Sequence, residues 1–346
     1  MKALIYHTYT DIRLERRPVP TIGDTELLVQ VHGCGLCGSD IIKIVQQAPP
    51  PVVLGHELTG TVVARGKAIT GFIEGQRVVV AHHVPCFACH YCRHQNYSMC
   101  ATFKASNIDP CGFSEYIRVP SAQVEYTTLP LPDTLSNAEG SFVEPLACCI
   151  RAVKRTPWQA GDSIVVVGMG SMGLLMLQAV KAIGIRTERP VRVYAVDLLP
   201  ERLQLARELG ADDAFIAPKD ERGLYNLLAP LTEGRGVDAV IITTPGERPF
   251  LQALASVRMG GTVTIFAAHT GSVPTNIEQI YQRELTITSS YSSSPADLRL
   301  ALDLLTERSV QVTRLISHRL PLEQFAEGVV LMRTHQALKV YFHIVG

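Results

Sequence analysis

Nine cysteines run through this chain of 346 residues, and five of them fall between Cys86 and Cys111. Disulfides are uncommon in the cytosol, so a cysteine cluster in a chain expected to be cytoplasmic points to metal binding or catalysis. The run Cys86-x2-Cys89-x2-Cys92-x7-Cys100 has the spacing of a closed zinc site. Four thiolates complete a tetrahedron and leave no position for substrate. An iron–sulfur cluster can use a similar run, a zinc ribbon can grip nucleic acid, and His83, His90 or His94 could replace one thiolate. Four cysteines already suffice, so a structural zinc is favoured and the three histidines are expected to be loop or surface residues. Arg93 is the only Lys or Arg between Cys86 and Cys100, which is poor support for nucleic-acid binding.

A second pattern could bind a nucleotide. The short apolar run Ser163 to Val167 leads into Gly168-Met169-Gly170-Ser171-Met172-Gly173, and helical periodicity follows. Gly168 permits a tight turn, Gly170 lets a pyrophosphate approach the backbone, and Gly173 allows close packing of helix on strand. The first helical residues, Ser171, Met172 and Gly173, offer N–H groups to the phosphates. The next apolar strand ends at Asp197, an acid that can accept from a ribose diol and would repel a 2′-phosphate, which favours NAD over NADP. Arg202, five residues on, could meet a phosphate but reads as a surface residue of the following helix.

Three further places carry possible metal ligands: Cys37-Gly38-Ser39-Asp40, His56-Glu57, and Glu144 before Pro145. Taken singly each has a bland explanation. A lone Cys is usually a small buried hydrophobe, a lone His a satisfied structural residue, and Glu-Pro a cap or turn. Spacing alone does not join them.

These residues need elements to hold them. The first third alternates short strand-like runs (Lys2 to Ile5, Glu26 to Val31, Leu58 to Ala64, Arg77 to Ala81) with Gly and Pro, which indicates an antiparallel β unit, a small barrel. Helical texture begins around Asn137 to Lys154. From Ser163 strand and helix alternate: Gly173 to Ile183 and Pro200 to Leu209 are helical, while Val191 to Val196, Ala239 to Thr243 and Gly261 to Ala267 are strand-like. That rhythm indicates a parallel sheet covered by helices. A helix over Pro295 to Glu307 and a strand over Leu338 to Ile344 close the chain.

Length argues for two domains. Hydrophobic residues make up 47% and charged residues 18%, a globular composition. Lys+Arg and Asp+Glu both number 32, so no basic excess recommends nucleic acid or an anionic membrane as a partner. Met1 to Arg17 holds charges at short intervals and is not expected to be a signal peptide. Ile164 to Ile183 is interrupted by glycines, Gln178 and Lys181, so no membrane span is expected there.

The ordered set of Cys37-Gly38-Ser39-Asp40, Gly55-His56-Glu57-x2-Gly60, the four-cysteine run, Glu144-Pro145-Leu146 and the glycine turn resembles the zinc-containing medium-chain dehydrogenase/reductase family of the alcohol dehydrogenase superfamily. It is most similar to the sorbitol (polyol) and threonine dehydrogenase branch. The resemblance implies an α/β chain with a GroES-like β-barrel catalytic domain at 1–146 and 292–346, carrying a structural-zinc lobe at 86–100. A doubly wound Rossmann domain would occupy 147–291. It implies a catalytic zinc on Cys37, His56 and Glu144, with Glu57 as fourth ligand or reaching the metal through water, and Asp40 orienting His56. Cys86, Cys89, Cys92 and Cys100 would hold the structural zinc, giving two zinc ions per chain. Lys339 matches a basic residue near the cofactor or near Glu57. The activity implied is hydride transfer between a small alcohol, polyol or sugar and NAD(H), Ser39 accepting the hydroxyl proton, by a homodimer or homotetramer.

Two departures stand out. Ile42 occupies the position of a relay histidine found in some members, so the proton must leave by water or Glu57. The stretch Ser289-Ser290-Tyr291-Ser292-Ser293-Ser294 lacks the Arg that sorbitol-type members use for substrate hydroxyls, leaving serines and Tyr291 for that task. Cys34 and Cys37 form a CxxC, but a redox pair conflicts with a metal role for Cys37. Cys111 stands where the family commonly has Gly, and Cys148 and Cys149 read as packing residues on a helix. The alternative to an enzyme is a zinc-stabilised protein that binds NAD without turnover.

Overall fold

The structure is a computed structural model that describes residues 1–46, 52–269 and 271–345. Residue 346, at which the expected catalytic domain ends, lies outside the described residues. The chain divides into two compact units. One comprises Met1–Ala147, Ser293–Arg308 and Val312–Gly346; the other comprises Cys148–Ser292 and Ser309–Gln311.

The first unit is built on a 7-stranded sheet. Its path runs Ile316–Pro321, Lys339–His343, Leu27–Gly35, Glu57–Arg65, Arg77–Val80, Thr128–Pro130, and Tyr116–Val119 also pairs with Leu27–Gly35. Every pairing is antiparallel except that of Ile316–Pro321 with Lys339–His343. Leu27, Val29 and Val31 are fully buried and alternate with half-buried neighbours, the period-two signature of a strand with one face in a core. Phe113, Phe325 and Phe342 pack ring to ring beneath it, with centroids 5.1 to 5.7 Å apart. Strands Asp11–Arg16, Tyr116–Val119, Thr128–Pro130 and Ile316–Pro321 were not legible in the sequence. They are short, and two of them, Asp11–Arg16 and Ile316–Pro321, are mostly exposed or half-buried, so they leave no apolar run.

The second unit holds a 6-stranded, all-parallel sheet in the order Asp213–Ile216, Arg192–Asp197, Ser163–Val167, Val237–Ile242, Val257–Ile265, Thr286–Ser289. Numbered as they occur in the chain, the strands lie 3-2-1-4-5-6, the doubly wound order of dinucleotide-binding folds. The central strands Ser163–Val167 and Val237–Ile242 are buried at every residue, as expected for a sheet covered on both faces. The two strands that sequence patterning misses, Asp213–Ile216 and Thr286–Ser289, are the edges, where exposure dilutes the apolar signal.

No described helix is long and apolar enough to cross a membrane.

Candidate active site and metal centres

The four-cysteine run folds into an excursion between strands Arg77–Val80 and Tyr116–Val119, with helices His90–Arg93 and Ala101–Ala105. The Sγ atoms of Cys86, Cys89, Cys92 and Cys100 all lie within 4.8 Å of one another. Cys89 and Cys92 are 3.5 Å apart, and backbone N–H groups of Cys86 and Cys89 donate to the sulfurs of Cys100 and Cys86. Burial would raise the Cys100 thiol, but the N–H groups of Cys86 and Phe103 bring it down to about 6. Burial and its three thiol neighbours push Cys92 up to about 12. Four thiolates within 4.8 Å of one another would repel, and a cation among them would relieve that repulsion. The excursion's own apolar core is Cys92, Cys100 and Phe103, with Cys89 and Tyr97 at its margin. A lobe with so little to bury needs a cross-link, and a tetrathiolate zinc supplies one.

His83 lies in a loop, one of the two settings expected for it, and is half-buried: its ring stacks on His82 and Phe103, with centroids 3.8 and 4.9 Å away, and Nδ1 lies 2.6 Å from the Ser106 carbonyl. Removed from water, it is held down to about 4. His90 and His94 are both exposed, as expected, their rings 4.5 Å apart.

Cys37, His56 and Glu57 form a second group whose ligand atoms lie within 4.8 Å of one another. Local structure explains the placement. Cys37 is the N-cap of helix Gly38–Val45, where its sulfur accepts from the N–H of Ser39, and Asp40 reaches back to the Cys37 N–H. A thiolate gains from the positive end of a helix. The Ser39 hydroxyl, on an exposed residue, donates to Cys37 Sγ at 3.2 Å.

Asp40 is fully buried and also accepts from Gly55 N–H, while its Oδ1 lies 3.4 Å from His56 Nδ1. One carboxylate thus ties the helix bearing Cys37 to the turn bearing His56. Burial opposes charge on His56, but Asp40 and Cys37 outweigh it and hold its pKa well above the ordinary value. Asp40 also fixes which ring nitrogen is presented: Nδ1–H faces the carboxylate, and Nε2 would supply its lone pair to a metal on losing its proton.

Glu57 reaches the group because strand pairing sets it opposite Gly35. A Cβ at Gly35 would lie 2.2 Å from the Glu57 carboxylate, so the glycine makes room for it. Lys339 donates to both oxygens of Glu57, at 2.8 and 2.7 Å, and to the Leu36 carbonyl. Both side chains are almost completely buried. Burial would lower the Lys339 pKa, but Glu57, with Cys37 and Glu144 behind it, raises it. Of the two positions that the resemblance allowed for Lys339, the one beside Glu57 is occupied. Glu144, in the first turn of helix Val143–Lys154, is buried and belongs to the same field of charge acting on Lys339, but its carboxylate is not among the converging ligand atoms.

In the second unit the glycine turn connects strand Ser163–Val167 to helix Ser171–Arg186. Gly168 has φ +96°, and a Cβ at Gly173 would sit 1.7 Å from the Gly168 carbonyl, so both positions exclude side chains on backbone grounds. A Cβ at Gly170 would meet nothing within 4 Å, which leaves open space over the turn for a phosphate group.

The Asp197 carboxylate accepts from Met169 N–H at 2.5 Å and from Leu199 N–H at 2.9 Å. It therefore buttresses the turn while keeping lone pairs for a diol. Arg202, expected on the surface, points back and brings a guanidinium nitrogen 3.9 Å from Asp197, with only 14% of its side chain exposed.

Two residues that support the turn, Thr243 and Cys149, were missed in the sequence. The Thr243 hydroxyl donates to the carbonyls of Gly168 and Val167, and Cys149 Sγ approaches the Met172 carbonyl at 3.7 Å. A cavity of about 240 Å³ lies beyond the carboxyl ends of strands Val237–Ile242 and Val257–Ile265, lined by Thr244, Pro245, Phe250, His269 and Val273 among others. No motif marks these residues; only strand order brings them beside the glycines.

Among the remaining expectations, Cys34 is fully buried and desolvation raises its thiol well above the ordinary range, as suits a packing residue and not a redox partner. Cys111 is buried and accepts from the Asn107 amide. Ser294, one of the serines offered for substrate hydroxyls, is committed instead to capping helix Pro295–Thr306 in a capping box with Asp297.

A unit gathering thiol, imidazole and carboxylate, together with a doubly wound sheet and its glycine turn, defines the class of zinc-binding dehydrogenases. Residues 23–133 match the alcohol dehydrogenase GroES-like domain, and residues 171–307 match the zinc-binding dehydrogenase domain. The sorbitol dehydrogenase of Bacillus subtilis is 30% identical over 351 residues, spanning 98% of this chain and 96% of the relative. An L-threonine 3-dehydrogenase of Bacillus licheniformis is 30% identical over 332 residues, 93% of this chain and 92% of its own. A protein described as a zinc-binding dehydrogenase from Sinorhizobium meliloti, crystallised with NADP, superimposes with a TM-score of 0.86 at 27% identity, over 99% of each chain. The chain belongs to the zinc-containing medium-chain dehydrogenase/reductase family.

Proposed function

We propose that this protein is a dehydrogenase that moves a hydride between a CH–OH carbon of a small alcohol or polyol and a nicotinamide dinucleotide, NAD(H) in preference to NADP(H). The observation that carries the reading is the convergence of Cys37 with the adjacent His56 and Glu57 from two separate stretches of chain. In this reading Cys37, His56, Glu57 and Glu144 serve one zinc, Glu57 directly or through water, and Cys86, Cys89, Cys92 and Cys100 hold the other.

Zinc supplies Lewis acidity toward the substrate oxygen, and the nicotinamide supplies the hydride carrier. The chain's own residues do the rest. Asp40 fixes the tautomer and angle of His56. Lys339 holds Glu57 in a buried pair, so Glu57 is not a free proton acceptor. The proton's way out is then the exposed Ser39 hydroxyl and water, with Ile42 at the relay position. Gly170 and the N–H groups of Ser171, Met172 and Gly173 receive the pyrophosphate, and Asp197 takes the adenosine ribose.

The cytoplasm suits nine cysteines that are all free thiols. A homodimer or homotetramer suits the open edge of strand Thr286–Ser289, which is paired on one side only.

Reduced nicotinamide is followed by absorbance across polyols, sugars, amino alcohols and secondary alcohols, with and without a zinc chelator. Chelator-sensitive reduction of NAD by one class is the expected outcome. A protein that holds two zinc ions and NAD yet reduces none of it with any substrate would be a binding protein, not an enzyme.

A further inference from the structure

We propose that His82 binds the second oxygen of the substrate, a hydroxyl on the carbon next to the one oxidised, and so selects vicinal diols and polyols over monohydric alcohols. The proposal rests on the dehydrogenase reading above and deepens it.

His82 leaves the end of strand Arg77–Val80, one residue past Ala81. Its ring centroid lies 4.7 Å from that of His56, tilted by 41°. Its other neighbour is His83, 3.8 Å away, which is anchored to the Ser106 carbonyl and against Phe103. The main chain of His82 is fixed as well, because the buried Gln123 amide donates to its carbonyl at 3.0 Å. The ring is therefore held from two sides and at the backbone, next to an imidazole of the metal-ligand group.

Yet Nδ1 of His82 is buried and has no hydrogen-bond partner among the described residues. Buried polar atoms are almost always satisfied, and one that is both rigidly placed and unsatisfied calls for an explanation. Imidazole can donate or accept according to tautomer, so any hydroxyl can complete it. A monohydric alcohol spends its only oxygen at the Cys37–His56–Glu57 group and leaves Nδ1 unpaired. A vicinal diol offers a second oxygen one carbon away, on the scale of the 4.7 Å that separates the two rings. Sites built to bond a substrate hydroxyl discriminate strongly against the analogue that lacks it. Ser290 Oγ is likewise buried and, among the described residues, unpartnered, but it belongs to the other unit.

The test compares 2,3-butanediol with 2-butanol, which differ by one hydroxyl, in wild type, H82F and H82N. Wild type is expected to favour the diol in kcat/KM by at least about 100-fold. H82F is expected to lower the diol-to-alcohol ratio by about 10–100-fold, and H82N, whose amide stands near the position of Nδ1, to restore most of it. Calorimetric binding of the diol to the enzyme with reduced cofactor should weaken in H82F, with two zinc ions per chain retained.

An equal change for both alcohols in H82F would show a structural role only and overturn the proposal. So would a wild type that does not favour the diol. Turnover of neither compound nor of any other alcohol would count against the dehydrogenase reading. In that case unaltered diol binding in H82F would still dispose of the His82 assignment separately.

Discussion

The two thiol-bearing centres of the first unit are assembled in opposite ways. Cys86, Cys89, Cys92 and Cys100 come from a single excursion, and their sulfurs converge because short helices and backbone N–H groups fold them inward. Cys37, His56 and Glu57 come from a helix N-terminus, a turn and a strand, and they converge because sheet pairing sets Gly35 opposite Glu57 while Asp40 bridges the turn to the helix. The excursion has almost no core of its own, so its ion would have to hold it together. The second group sits against a large core containing Leu27, Leu36 and Leu58, which holds the ligands whether or not the ion is present. One centre would be shaped by its metal, and the other would present a preformed site to it.

That contrast can be broken in several ways, the largest effect first. Cys100→Ser should drop zinc from two ions to one per chain and open residues 86–105 to proteolysis, because zinc binding in such lobes is worth on the order of 10 kcal/mol. A variant that keeps both ions and resists protease would remove the structural assignment. Cys37→Ala should cut kcat by at least about 10³-fold, several kcal/mol of barrier, with NADH binding by fluorescence unchanged. Wild-type turnover there would mean that this group is not the reacting one.

Lys339→Met leaves the Glu57 carboxylate buried without its partner and should destabilise the first unit by about 3–5 kcal/mol in urea unfolding. A loss below about 1 kcal/mol would mean that water or another cation already serves Glu57. Asp40→Asn should weaken the catalytic zinc by about 10–100-fold in chelator competition and leave the four-thiol zinc untouched; parallel weakening at both sites would erase the distinction drawn between them. Asp197→Ala, in the other unit, should weaken NAD by about tenfold more than NADP, the loss of about one good hydrogen bond to the ribose. Equal weakening of the two cofactors would leave Asp197 as a buttress for Met169 alone.

Legibility followed burial and locality. The central strands of the parallel sheet stood out because every residue is buried and all but Ser163 and Asp238 are apolar, while its edge strands Asp213–Ile216 and Thr286–Ser289 did not, since they are only four residues long and mostly half-buried or exposed. Gly168 and Gly173 declared themselves because the turn leaves no room for a Cβ. Arg202 was misplaced at the surface because helical spacing says nothing of an acid on the preceding strand. His83 was expected in a loop or at the surface and does lie in a loop, but loop composition does not reveal a stacking partner twenty residues away, Phe103.

By itself the sequence determined the alternation of strand and helix, the glycine turn and the four-cysteine spacing, because each is written within a stretch short enough for backbone geometry to dictate it. Only the tertiary structure decided that Cys37 meets His56 and Glu57, that Lys339 neutralises Glu57 from 282 residues away, and that Nδ1 of His82, beside His56, has no hydrogen-bond partner among the described residues. Those facts depend on strand register and on which groups are removed together from water, and no local pattern encodes either.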